Sequence, residues 1–130
     1  MEYIVNPELI ENYEQFKNDL RSRGEEINER LTFHGTRNEA IELIIKTGFK
    51  IGGEGVAVAS GQAHGSGVYT SEDPAFAMRY IKDGRKRLLF ARVCVSSDSK
   101  IVKQGKLIQQ LIVKNVHQLL PCYIVHYANK

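Results

Sequence analysis

The chain has 130 residues, which suits one domain built around one core, and we expect residues 1–130 to form a single unit. Hydrophobic residues make up 42% of the chain and charged residues 25%, which is typical of a folded globule and excludes a disordered or fibrous protein. No run approaches the roughly 18 apolar residues of a membrane span. The N-terminus lacks the pattern of a secretory signal. The composition therefore predicts an intracellular protein, cytoplasmic or nuclear, without a membrane partner.

Charge is distributed unevenly, although the net charge is only +3. Residues 1–30 hold eight acidic and four basic side chains, whereas residues 99–130 hold five lysines and no Asp or Glu. An excess this small gives faint support for nucleic-acid binding. Cys94 and Cys122 are isolated thiols inside apolar runs, which predicts buried, reduced cysteines and a reducing compartment.

The first predicted element is a helix that begins at Asn6-Pro7, because Pro is favoured in the first helical turn. Apolar side chains then recur at helical spacing up to Gly24: Leu9, Ile10, Tyr13, Phe16 and Leu20. A short alternating strand follows over residues 31–34 and ends at Gly35.

A second helix is predicted after this strand, with Thr36 or Asn38 as its N-cap and Gly48 at its end. Beyond this helix, six of the sixteen residues 52–67 are glycines. Because glycine adopts positive φ angles and lets a ligand approach the backbone closely, we interpret this stretch as an ordered loop over a site.

The second half of the chain predicts an antiparallel sheet. A strand over residues 68–70 precedes a third helix, which is expected to begin at Asp73-Pro74 and to run to about Ile81. Runs of β-forming residues follow at 88–95, 107–116 and 122–127, and Pro121 fits the start of the last strand. Lys82, Arg85, Lys86 and Arg87 cluster at the intervening turn, usually a solvated corner but also the best candidate for a phosphate or partner contact. The fold class is α+β.

Three short motifs stand out, each of them weak when taken alone: Phe33-His34-Gly35-Thr36, Gly65-Ser66-Gly67-Val68-Tyr69, and Tyr80 on the following helix. In this order and spacing they resemble the NAD site of the poly(ADP-ribose) polymerase family. The resemblance spans nearly the whole chain and includes the lead-in Asn6-Pro7-Glu8-Leu9. It implies the ADP-ribosyltransferase fold, with split antiparallel sheets and flanking helices around an NAD cleft.

The resemblance also implies roles for individual residues. The backbone of Gly35 would hold the nicotinamide carboxamide, at a place where a side chain would obstruct the ring. Tyr69 and Tyr80 would flank the pyridinium ring, since aromatic faces attract cations. His34 would orient the dinucleotide through the adenosine ribose, and Thr36 would offer that ribose a hydroxyl.

Two further positions complete the implied NAD site. Lys50 lies where the family often has a basic residue near the adenine. Residues 52–67 correspond to the family's donor-site loop, here short, and its last glycine, Gly67, is counted among the NAD-binding residues.

The chain departs from the family pattern twice. Ala77 stands where the family often has a Ser that contacts the carboxamide, a loss of roughly 0.5–1.5 kcal/mol of NAD binding. Polymer-forming members carry a catalytic Glu on the penultimate strand, and that position falls on Gln110, or on Gln109 or Leu111 if the register slips by one. No acidic residue lies anywhere after Asp98, so the glutamate is absent in any register.

The resemblance therefore implies transfer of a single ADP-ribose from NAD to a protein acceptor, with His34, Tyr69 and Gln110 as catalytic residues and without a metal. Two alternatives remain open: an inactive module that binds NAD or ADP-ribose, and transfer to the ends of nucleic acids. We expect a monomer. The family's autoinhibitory helical domain has no room in a chain of this length, so regulation would come from partners.

Other site classes fit the sequence less well. His64, Cys94, Cys122 and His126 lack the CxxC or HxxxH spacing of a zinc site. Toxin-type ADP-ribosyltransferases need a late Glu-x-Glu, which the chain lacks. RNA 2′-phosphotransferases have a second His where this chain has Tyr69.

Overall fold

The computed structural model describes residues 2–51, 66–81 and 87–127. Most of the expected donor-site loop, residues 52–65, lies outside these ranges, as do Lys82, Arg85 and Lys86 of the basic cluster. The described helices are α1 (Pro7–Ser22), α2 (Asn38–Thr47) and α3 (Pro74–Ala77), with 3₁₀ turns at Met78–Tyr80 and Val116–Gln118. The described strands are β1 (Glu2–Tyr3), β2 (Asn28–His34), β3 (Val68–Thr70), β4 (Arg87–Val95), β5 (Lys100–Gln104), β6 (Leu107–Val113) and β7 (Leu119–His126).

The strands form two antiparallel sheets. The first has the order β1-β7-β4-β2 and the second the order β3-β6-β5. They meet where β2 passes the end of β3, because the Phe33 amide donates to the Ser71 carbonyl at 2.7 Å and the Ser71 amide returns a bond at 2.9 Å. This arrangement confirms the predicted α+β class with split antiparallel sheets.

Two apolar clusters cover the two faces of the first sheet. The main core joins both sheets to α2 and contains Ile41, Ile44, Leu89, Val93, Leu111 and Val113. On the opposite face α1 packs through Tyr13 and Leu20 against Cys94. Each fully buried Ile, Leu or Val side chain in these clusters stabilises the fold by roughly 1.5–3 kcal/mol when it leaves water. One packed face on each helix thus explains the hydrophobic spacing of α1 and α2, except at Ile10, which is 40% exposed.

A row of aromatic rings crosses the first sheet. Tyr3 contacts Tyr123 with ring centroids 4.8 Å apart, Tyr123 lies 6.1 Å from Phe90, and Phe90 lies 4.9 Å from Phe33. The row runs across β1, β7, β4 and β2 and so places Phe33 at the junction of the sheets.

The ends of α1 and α2 are set by different groups. As predicted, α1 begins after Asn6, whose side chain accepts from the Leu9 amide. The prediction that Thr36 or Asn38 caps α2 is wrong, because Arg37 holds that position without a side-chain bond. Asn38 instead accepts a hydrogen bond from Arg87 Nε at 2.9 Å. Gly48 ends α2 at φ 86°, as expected.

Three other predictions need correction. The third helix ends at Ala77 and tightens into a 3₁₀ turn, so it is shorter than expected. Strand β6 ends at Val113, because Asn115 caps the next 3₁₀ turn by accepting from the His117 amide. Pro121 lies inside β7, opposite Ala91 at a β-bulge, where its missing N–H does not interrupt the ladder.

The basic cluster at the turn before β4 also needs revision at its last member. Arg87 is buried, and it contacts Asn38 and Glu42 on α2 rather than solvent. Cys94 is a buried free thiol and Cys122 a half-buried one. None of the helices within the described ranges is long and apolar enough to cross a membrane.

Candidate active site

A cleft lies at the junction of the two sheets. The residues that line it come from β2, β3, β6 and the α3 region: Phe33, Gly35, Tyr69, Thr70, Ser71, Phe76, Ala77, Tyr80 and Gln110. The space between them, about 190 Å³, includes open solvent, so the cleft is shallow. Four of the residues that the sequence nominated thus meet in one place, although they are spread over 76 positions of the chain from Gly35 to Gln110.

His34 is held next to this cleft by the neighbouring sheet. Its Nδ1 lies 2.8 Å from the Tyr69 carbonyl oxygen. Because a carbonyl oxygen only accepts, Nδ1 carries the hydrogen and Nε2 presents a lone pair. The ring packs edge-on against Phe49, with centroids 5.1 Å apart. Burial lowers the pKa of His34, while the bond to Tyr69 opposes this, so the neutral imidazole is favoured.

Gly35 is needed by packing within the fold. A Cβ atom built there would lie 1.9 Å from the Ala77 carbonyl oxygen and 2.9 Å from the Ala77 carbonyl carbon. From the sequence, a glycine was expected here only because a side chain would obstruct the nicotinamide ring. In the structure, the close approach of α3 to the end of β2 already excludes any side chain at Gly35.

Tyr69 and Tyr80 line the cleft from different elements, β3 and the 3₁₀ turn after α3. Burial raises the pKa of Tyr80, and the nearby Tyr69 raises it further, whereas Arg79 lowers it. Tyr80 therefore stays protonated and can donate at neutral pH. Its ring lies 6.2 Å from that of Phe76, over which the Arg79 guanidinium sits at 4.9 Å.

The geometry of β6 distinguishes the candidate positions for the missing glutamate. Gln110 lines the cleft, whereas Leu111 is fully buried in the core. Gln109 points away and donates to Gln104 Oε1 at 2.7 Å on an exposed surface. No carboxylate occurs among the described residues that line the cleft.

Like His34, three further nominated residues do not line the described cleft. Thr36 is half-buried next to Gly35, and Lys50 is exposed beside Phe49. Gly67 is buried where β3 approaches β6, since a Cβ there would lie 2.5 Å from Ile112 Cγ2 and 2.7 Å from the Val113 carbonyl oxygen. Its position is thus explained by strand packing. The roles of all three toward NAD stay predictions.

Sequence reasoning missed several residues of the cleft. Phe76 precedes Tyr80 by four positions, and this helical spacing on one face would have revealed it. Ser71 gave no such signal, because its backbone partner Phe33 lies in another part of the chain. Among the residues described, no group of three His, Cys, Asp or Glu side chains is placed to hold a metal ion.

Comparison with known proteins agrees with this geometry. A family model described as the poly(ADP-ribose) polymerase catalytic domain matches residues 1–116. No curated protein matches the chain. Proteins of this family use NAD as substrate and transfer its ADP-ribose. The chain therefore belongs to the poly(ADP-ribose) polymerase catalytic-domain family, whose domain type implies NAD-dependent ADP-ribosyltransferase activity.

Proposed function

We propose that this protein transfers one ADP-ribose unit from NAD to a protein acceptor, releases nicotinamide and does not extend the product. The observation that carries the proposal is the carboxamide of Gln110 in the cleft, at the position where the family resemblance places a glutamate in polymer-forming members. An amide can hydrogen-bond a ribose hydroxyl but does not take a proton from it. Chain growth needs ribose hydroxyls activated in that way.

The first chemical step is cleavage of the bond between C1′ of the ribose and the nicotinamide nitrogen. The bonding electrons leave with nicotinamide, which becomes neutral, and positive charge develops on the ribosyl group. An acceptor oxygen then bonds to C1′ and loses its proton if it carries one. A carboxylate at about 4 Å, with an effective dielectric constant near 20, would stabilise that charge by about 4 kcal/mol, and Gln110 offers only a dipole.

This loss of charge points to an acceptor that brings its own carboxylate. An ionised Asp or Glu side chain attacks without a general base, because it has no proton to lose. Its negative charge also faces the ribosyl cation directly. The remaining parts of the site support NAD binding: two tyrosine rings, a neutral His34 and the backbone of Gly35.

The same absence of a carboxylate from the described lining of the cleft favours one competing function, a module that binds NAD or ADP-ribose without turning it over. The two functions differ in nicotinamide release, which occurs only in the first. Transfer to nucleic-acid ends differs from both, because label would appear on added RNA or DNA rather than on protein.

The test is incubation with isotopically labelled NAD, followed by measurement of released nicotinamide and intact-mass spectrometry of the protein. We expect adducts of one ADP-ribose per site. Gln110→Glu should raise NAD hydrolysis at least about tenfold, since about 1.4 of the available 4 kcal/mol suffices. Gln109→Glu is the matched control, and it should change little because Gln109 points away from the cleft.

Three results would contradict the proposal. A ladder of repeated additions at one site would show polymer formation. Binding of NAD without any nicotinamide release would assign the chain to the non-catalytic class. Equal effects of Gln110→Glu and Gln109→Glu would show that the charge does not act within the cleft.

A further inference from the structure

A carboxylate outside the cleft joins the two sheets beside it. Glu72 follows β3, and its Oε2 accepts from Arg30 Nε at 2.8 Å and lies 2.7 Å from Arg30 Nη2. Its Oε1 accepts from the Ile108 amide at 2.9 Å, and the Glu72 amide donates to the Ile108 carbonyl at 3.0 Å. Glu72 thus binds the side chain of Arg30 on β2 and the backbone of Ile108 on β6.

The contact with β6 falls beside a β-bulge. In the pairing of β5 with β6, Val102 is opposite Gln110 and Lys103 is opposite Ile108, so that Gln109 is the extra residue. Ile108 and Leu111 both face the core, whereas Gln110 between them faces the cleft. A bulge re-aims the side chains that follow it. The bulge at Gln109 is therefore what turns Gln110 toward the cleft.

Both sides of this bulge are held by the segment that follows Tyr69. On the far side, Thr70 Oγ1 donates to the Leu111 carbonyl at 2.9 Å. On the near side, Ile108 is held by Glu72 through two hydrogen bonds. Gln110 lies between these two anchors, which hold the backbone on either side of it.

We propose that Glu72 is a positioning residue that fixes the bulge at Gln109 and thereby holds the Gln110 carboxamide toward the bound NAD; this rests on the function proposed above. The Glu72 side chain is only 15% exposed, which protects its bonds from competition by water. Burial raises the pKa of Glu72, but the Ile108 amide and Arg30 outweigh burial and lower it, so the carboxylate is ionised at neutral pH.

A purely structural role for Glu72 is the competing explanation. In that case its loss would weaken the fold or widen the cleft, and NAD binding would suffer as much as turnover. A positioning role predicts instead that Glu72 matters only while Gln110 is present. The two explanations therefore differ in the coupling between the two residues, which a double-mutant cycle measures.

The experiment compares Glu72→Gln, Gln110→Ala and the double variant in nicotinamide release, with KM for NAD and urea unfolding measured on each. Glu72→Gln keeps the size of the side chain but removes the charge that Arg30 holds. It should lower kcat about tenfold and leave KM for NAD within about twofold. The same change should have no further effect once Gln110 is Ala. Arg30→Lys keeps a cationic partner and should retain most of kcat.

The control is Glu25→Gln, which removes an exposed ion pair with Arg23 and should leave kcat and KM unchanged. Additive losses in the double variant, or a rise in KM as large as the fall in kcat, would overturn the inference.

If Glu72→Gln unfolds, the same cycle run with Arg30→Lys and Arg30→Gln decides between the two roles. If kcat falls in Gln110→Ala but not in Glu72→Gln, the inference about Glu72 is refuted and the proposed function stands. No release from the unsubstituted chain refutes the proposed function.

Discussion

The Nδ1 atom of His34 is engaged by the chain itself, since it donates to the Tyr69 carbonyl. Only Nε2 is left for a ligand, and in the neutral ring it is an acceptor. A ribose hydroxyl is a suitable donor for it, which agrees with the role that the family resemblance gives His34. Protonation would turn Nε2 into a donor and reverse this preference.

The lowered pKa of His34 predicts a stability that depends on pH. The unfolded chain binds a proton at its ordinary pKa of about 6.5, whereas the folded chain binds it only at lower pH. Between these two values the unfolded state holds more protons, so the free energy of unfolding falls as the pH falls, by up to about 1.4 kcal/mol per pH unit. Urea unfolding from about pH 7 to about pH 5 measures this slope.

His34→Asn should flatten that slope, because an Asn amide still donates to the Tyr69 carbonyl but does not titrate. Glu29 and Glu72 do not account for this slope. Because their pKa values are lowered in the folded chain, the stability that they contribute is lost at more acidic pH. An unchanged slope in His34→Asn would contradict the assignment.

Whether a single site residue could be predicted from the sequence depended on how far along the chain its partners lie. Tyr69, Tyr80 and Gly35 were identified because their motifs occur in a fixed order along the chain. Glu72 was missed because its partners Arg30 and Ile108 lie 42 and 36 positions away. Only the folded arrangement shows that these three residues meet.

At the scale of elements, the contact between α3 and the end of β2 is what shapes one wall of the cleft. Gly35→Ala would place a Cβ 1.9 Å from the Ala77 carbonyl oxygen, so α3 would have to move away and carry Tyr80 with it. We expect a loss of about 1–3 kcal/mol of stability, typical of overpacking, together with weaker NAD binding. Thermal unfolding and calorimetric titration with NAD measure the two effects.

Gly24→Ala separates this clash from ordinary backbone strain. Gly24 has φ 78°, and a Cβ added there would meet no atom within 4 Å, so the substitution strains the backbone without a collision. It should destabilise the fold to a smaller extent and leave the affinity for NAD unchanged. A Gly35→Ala variant that binds NAD as well as the unsubstituted chain would show that α3 does not shape the site.

Elements were predictable where local signals agreed with the packing. The helices α1 and α2 and the strand β4 carry clear hydrophobic patterns and were identified from them. The two-residue β1 is too short to show any periodicity. The pairing of β5 with β6 was equally invisible, since four of the five β5 residues are exposed. The predicted N-cap of α2 was wrong because the Asn38 side chain accepts a hydrogen bond from Arg87, which is distant in sequence.

At the scale of the whole molecule, the cleft takes residues from both sheets, so a ligand bound there contacts both. NAD should therefore stabilise the fold by linkage, by about 2.7 kcal/mol at a hundredfold excess over its dissociation constant. For a chain of this size that corresponds to a rise in Tm of several degrees. A thermal shift with NAD and with benzamide measures it.

Tyr80→Ala should remove most of this shift at little loss of stability, because Tyr80 lines the cleft and is only half-buried. Tyr3→Ala is the control, since Tyr3 is 78% exposed at the far edge of the first sheet. Equal shifts in both variants would show that Tyr80 does not contact the ligand. No shift from either ligand in the unsubstituted chain would contradict NAD binding in the cleft.

The β-bulge that presents Gln110 bears on how this position could change by mutation. Glutamine and glutamate are nearly identical in shape, and their codons differ by a single base. A backbone that holds the Gln110 carboxamide toward the cleft would hold a carboxylate in the same place after one point mutation. A single nucleotide change would thus exchange the carboxamide in the cleft for a carboxylate.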